Sequence, residues 1–174
     1  MPVTFAINNV LDRLGKATVA ALTAAGEAPR SLPRATTADQ AAFLATDLPV
    51  TILETGKLTI DLTNANAASL RLMQRVTLHH IRALVPGGSA VETATARMSA
   101  VCAALYQDYR LESVSQAATL SQIADQSIEM VLLTEIMSGA DNPVQQLLDM
   151  NDQSDSLVCV SVRMELHWVE DGAF

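Results

Sequence analysis

Residues 156–174, SLVCVSVRMELHWVEDGAF, alternate apolar and polar positions along most of their length. Val158, Val160, Val162, Met164, Leu166 and Trp168 take the even positions; Ser161, Arg163, Glu165 and His167 take the odd ones. A period of two is the repeat of a β-strand, and one apolar side against one polar side marks a strand that covers a core and meets water. The spacing predicts an antiparallel strand, with Cys159 on its wetter side.

Three earlier stretches have the same character. In 49–62, PVTILETGKLTIDL, two β-rich arms flank ETGK, and a tight hairpin or a single bent strand fits equally well. A polar turn segment follows at 64–69. In 71–88, RLMQRVTLHHIRALVPGG, Val76 and Leu78 share one parity while Ile81, Ala83 and Val85 share the other. A phase change of one residue is what a β-bulge produces, so a bulge is expected near His79 and His80. Residues 127–137, SIEMVLLTEIM, read as a strand with Ile128, Met130 and Leu132 opposite Glu129.

Helical spacing dominates elsewhere. Residues 4–25 place Ile7, Val10, Leu11, Leu14, Ala21, Leu22 and Ala25 on one stripe, with Thr4 as N-cap and Gly26 as stop. A connector rich in proline and arginine follows at 27–35, then a short helix opened by a capping box from Thr37 to Gln40. A second box, SAVE at 89–92, opens a helix running to about Arg110 whose stripe is Val91, Ala94, Met98, Val101, Cys102, Leu105 and Tyr109. Residues 112–127 are ambiguous, and 138–155 form a polar excursion with a helical turn around Val144–Met150.

This order predicts a single α+β domain over 1–174, a mostly antiparallel sheet with two main helices packed on one face. The segments 27–47 and 138–155 are expected to be flexible or arm-like.

Composition refines this picture. Apolar residues make up 49% of the chain but aromatics only 3%, so aliphatics and seven methionines must fill the core, an economy that favours extra burial from neighbouring subunits. The net charge of −8, with 11 Lys and Arg spread along the chain, supplies no basic face for gripping nucleic acid. No apolar run reaches the roughly 18 residues of a membrane span. No charged leader precedes an apolar run at the N-terminus, so an intracellular product is expected.

Chemical motifs are sparse. His79 and His80 are adjacent on a strand and point to opposite faces, so the pair cannot chelate one ion, and His167 could join either only through the fold. Cys102 and Cys159 read as buried free thiols without a base, a lone bridge requiring suitable geometry. PGGSAVE lacks the lysine and spacing of a phosphate cradle. The carboxylate pairs Glu129/Glu135 and Asp149/Asp152 lie in polar stretches. No catalytic residue, cofactor site or metal site is therefore expected. Arg163, Glu165 and His167 are expected at solvent or at a subunit contact.

An N-terminal helix, a proline-containing link, β segments, the strand RVTLHHIRALVP, a capped amphipathic helix and the alternating strand VCVSVRMELHWVE form an order of elements. That order resembles the tail-terminator (tail-completion) proteins of tailed bacteriophages. The resemblance implies a structural, non-enzymatic subunit of a hexameric ring that caps the tail tube and presents a surface to the head-side connector. It further implies a place in the virion tail or neck after synthesis in the host cytoplasm, with DNA passing through the lumen without tight binding. Because the resemblance rests on order and not on a motif, it assigns no functional residue. Two other readings fit the same elements: a soluble α+β enzyme or ligand-binding domain with a pocket using Tyr106, His79 or Cys159, and another head–tail connector or tail tube subunit.

Overall fold

The first apolar stripe folds as α1, Ile7–Ala24, and buries Val10, Leu11, Leu14 and Leu22. The structure is a computed structural model that describes residues 7–29, 31–66, 69–114, 126–151 and 156–171, so the expected N-cap Thr4 lies outside the described residues. Gly26 ends the helix at φ +94, with its N–H donating to the Thr23 carbonyl and that of Glu27 to the Leu22 carbonyl. This paired closure needs a left-handed residue, which glycine adopts without steric cost.

After α1 come β1, Arg34–Ala35; α2, Ala38–Phe43; β2, Val50–Asn66; β3, Ser69–Ala83; and α3, Ala90–Gln107. A 3-10 turn at Glu112–Val114 precedes β4, Gln126–Ser138; α4, Pro143–Met150, and β5, Leu157–Asp171, complete the order. The five strands stand in the order β1-β2-β3-β5-β4, antiparallel throughout except for the short β1–β2 pair. The fold is therefore the α+β class expected, with α1 and α3 packed on one face over Leu53, Leu78, Val162, Met164, Leu166 and Trp168.

Of the two forms expected for residues 49–62 the structure has the single bent strand, inside the longer β2, with a register shift between Thr55 and Leu58; the reversal falls beyond Asn66, which pairs with Ser69. Elsewhere the structure departs from the expected pattern, each time with a physical cause. No bulge occurs at His79 and His80, where β3 keeps continuous register with β5 from Ser69 to Ala83. The phase change there records burial of both faces. Ile81 joins a second core with Ala41, Ile52, Val144, Leu148, Leu157 and Cys159, beneath α2 and α4 on the opposite side of the sheet. Cys159 is accordingly buried in that core instead of lying on a wet face, and Ser161 beside it is fully buried as well.

Bulges fall in β4 instead, between Ile128 and Met130 and between Leu133 and Glu135. The first puts Ile128 and Val131 in the main core and turns Met130 and Leu132 out to solvent, so Ile128, Met130 and Leu132 do not share a face. Helix α3 ends at Gln107, short of the expected Arg110, with Tyr109 exposed beyond it; within it Val91 is exposed and Cys102 half-buried, which narrows the expected stripe. Ser89 makes no side-chain cap bond, whereas Thr37 accepts from Gln40 N and Gln40 Oε1 reaches back to Thr36 N. Within 138–155, the helical turn expected around Val144–Met150 is helix α4, packed on the second core. Residues 115–125, inside the ambiguous segment, and 152–155 lie outside the described residues.

Candidate functional site

Four polar side chains meet where β2, β3, β5 and α4 converge. Asn142 caps α4 by accepting from Val144 N and Gln145 N, and its Nδ2 donates to Ser161 Oγ at 2.8 Å. Ser161 Oγ lies 2.7 Å from His79 Nδ1, and His79 Nε2 lies 2.6 Å from Glu54 Oε2. Cys159 Sγ stands 3.5 Å from the same serine oxygen. Serine, histidine and carboxylate in one hydrogen-bonded chain suggest acyl-transfer chemistry. Here, however, Ser161 and Asn142 have no exposed surface and His79 is 2% exposed. A nucleophile needs room for a carbonyl carbon, so this chain of bonds works as a structural tie between sheet and α4. Burial pushes the Cys159 thiol up to about 11, against the opposing hydrogen bonds from Ser161 and Asn142, and burial raises the Cys102 thiol too. Neither sulfur is an activated nucleophile.

A second polar group lies on the α1–α3 side. Glu27, placed by the α1 stop, pairs with Arg82 of β3, and its Oε1 is 3.3 Å from Arg97 Nε of α3. His80, wholly buried, has its Nδ1 2.9 Å from the Thr51 hydroxyl and its Nε2 3.6 Å from Glu27 Oε2. Burial, and secondarily the charge of Arg97, pull this imidazole down to about 4. His80 is therefore neutral near pH 7, and its approach to Glu27 is not an ion pair there.

The third region is the part of the α2–α4 face that those helices leave open. Arg163 pairs with Glu135 at 2.7 Å, Glu165 with Arg75 at 3.4 Å, and His167 lies 3.5 Å from Glu165. Arg71 and Glu129 form a further pair at 3.0 Å. The three residues expected at a contact surface thus share one charge-laced face with Met130 and Leu132. Beside it, the outer edge of β4 carries no strand among the described residues; Val131 N–H is taken by the Tyr109 carbonyl at 2.7 Å.

Tyr106, His79 and Cys159 do not meet in a pocket: Tyr106 is 78% exposed on α3, while the other two are buried on the far side of the sheet. Among the described residues no group of three or more His, Cys, Asp or Glu is arranged to hold a metal ion, and no helix is long and apolar enough to cross a membrane. The buried tie was missed because its members come from four distant segments. Its one-dimensional trace is the lost alternation at HHI and LVCV, where both parities are buried. No protein-family model matches the chain, and no curated protein matches it significantly.

Proposed function

We propose that this chain is a structural virion subunit of the tail-terminator kind, closing with its own copies into a hexameric ring that caps a tail tube and meets the head-side connector. One observation carries this reading: the thirteen-residue edge strand β4 exposes Met130 and Leu132 on the open sheet face and Ile136 on the other. An apolar edge of that length templates pairing with another chain and is a hazard unless a partner covers it.

Strand polarity supports a ring of identical copies. Among the described residues β1 pairs with β2 only at Leu53 and Glu54 and no other strand lies on that edge, on the far side of the sheet from β4. The four long strands alternate in direction, so β2 and β4 run oppositely. Rotation about an axis along the strands sets β4 of one copy antiparallel to β2 of the next, and such head-to-tail contacts close into rings. The open face carries arginines already paired with carboxylates, and the chain carries a net charge of −8. A lumen built this way lets DNA pass without holding it.

Native mass spectrometry of the purified chain tests the reading. A closed ring near six copies is expected, reduced to smaller species by Leu132→Lys with Ile136→Lys, both exposed in the single subunit. A wild-type chain that stays monomeric at micromolar concentration sinks the proposal.

A further inference from the structure

A groove of about 270 Å³ runs along the outer flank of α1, floored by Leu11, Val19, Leu32 and Leu53 and rimmed by Asp12, Lys16 and Arg34. Gly15 faces it, and a Cβ built there meets nothing within 4 Å. Glycine inside a helix costs about 1 kcal/mol relative to alanine, and no close packing within this chain requires it. Its absent side chain keeps the groove open.

The matching feature lies on α3. Arg97, paired with Glu27 beyond the end of α1, marks the flank of α3 that faces α1. Tyr106 follows nine residues later, about two and a half turns on, and so projects from the opposite flank, on the β4 side. Both features also lie toward the same end of the helix pair. Arg13 of α1 donates to the carbonyls of Arg110 and Leu111, while Glu27 meets Arg97, so α1 and α3 run antiparallel. Arg13 thus lies beside the segment just past Gln107, the end of α3; Tyr106 stands in the last turn of α3, and Lys16, on the groove rim, stands about one turn inward from Arg13 along α1.

We propose that Tyr106 of one copy seats in the α1 groove of the next copy. This rests on the ring reading and names its helical joint, on the layer above the β4–β2 contact. A knob and a hole toward the same end of the helix layer and on opposite flanks suit a closed ring, whereas a large difference in height would wind copies into a filament. A cavity of roughly 150 Å³ accepts a benzene ring, so the groove has room for a phenol. The apolar floor suits the ring body; Asp12 and Arg34 pair with each other at the rim, and the hydroxyl would meet that pair or the Lys16 amine, the two-sided environment tyrosine favours.

Tyr106→Ala and Gly15→Leu, the second of which fills the groove, are compared with wild type by native mass spectrometry, with thermal melting as a control on the fold. Both are expected to lower the full-ring population at least tenfold, while Tyr106→Phe keeps most of it. If either variant melts early, oxidative linking of copies carrying Tyr106→Cys and Gly15→Cys replaces it, and covalently joined neighbours are expected. Intact rings in both variants, or no linkage of the cysteine pair, overturn this joint while the ring reading stands. A monomeric wild type removes both.

Discussion

The carboxamide of Gln145 occupies the place of a peptide group beside Cys159. Its Oε1 accepts from Cys159 N–H at 2.7 Å, and its Nε2 donates to the Leu157 carbonyl at 3.4 Å. β4 pairs with β5 only as far as Val160, so the last backbone groups on that edge would otherwise be buried without partners. A helix side chain thereby continues a sheet ladder.

Gln145→Ala is expected to lower stability by about 2 kcal/mol, since two buried backbone groups lose partners. Gln145→Glu sets a carboxylate against Asp149, whose Oδ1 accepts from Nε2 at 2.8 Å, and should cost at least as much as the alanine. Urea unfolding midpoints of the three proteins order them.

His80 makes stability depend on acid. The unfolded imidazole titrates near its ordinary 6.5 and the folded one at about 4, so between those values the unfolded chain binds more protons. Stability is complete above pH 6.5 and declines as pH falls toward 4, by about 3 kcal/mol in all. Unfolding free energies measured across that window should slope upward with pH, and His80→Gln should flatten the slope. A slope that survives the substitution assigns the effect to other groups.

Thr18 is fully buried in α1, and its hydroxyl finds no hydrogen-bond partner among the described residues. Thr18→Val keeps the β-branched shape and removes the unsatisfied oxygen, so stability should rise by about 1 kcal/mol. A lower melting temperature for the variant would show that the hydroxyl is satisfied in solution.

Adjacent positions of β5 should respond oppositely. Val162 has no exposed surface in the main core, so Val162→Asp buries an unpaired carboxylate and should abolish cooperative folding. Arg163, one residue on, meets Glu135 at the half-exposed face, and Arg163→Ala should cost under about 1 kcal/mol. Circular dichroism melts of the two variants make the comparison.

Periodicity reveals which residues share a face but not what covers that face. Trp168, Leu166 and Met164 could be assigned to a core from their spacing alone, as could the stripe of Leu11 and Leu14 and the stop at Gly26. The second core could not, because α2 and α4 reach it from far along the chain. Its effect on the sequence, a change of parity around His80, is the same signature a bulge leaves. The true bulges in β4 were hidden because apolar residues occupy both parities there, with Met130 and Leu132 outside and Val131 inside. On the open sheet face, Arg163, Glu165 and His167 were legible as a group; the exposed β4 edge and the α1 groove needed three dimensions.

The placement of Trp168 has an optical consequence. The only tryptophan lies in the core beneath α1 and α3, and among the described residues no phenylalanine, tyrosine or tryptophan belongs to the apolar core beneath α2 and α4. Intrinsic emission is thus blind to loosening of the second layer, whereas the thiol of Cys159 sits inside it. In a Cys102→Ala background, timed labelling of Cys159 beside tryptophan fluorescence reads the two sides of one sheet as separate clocks.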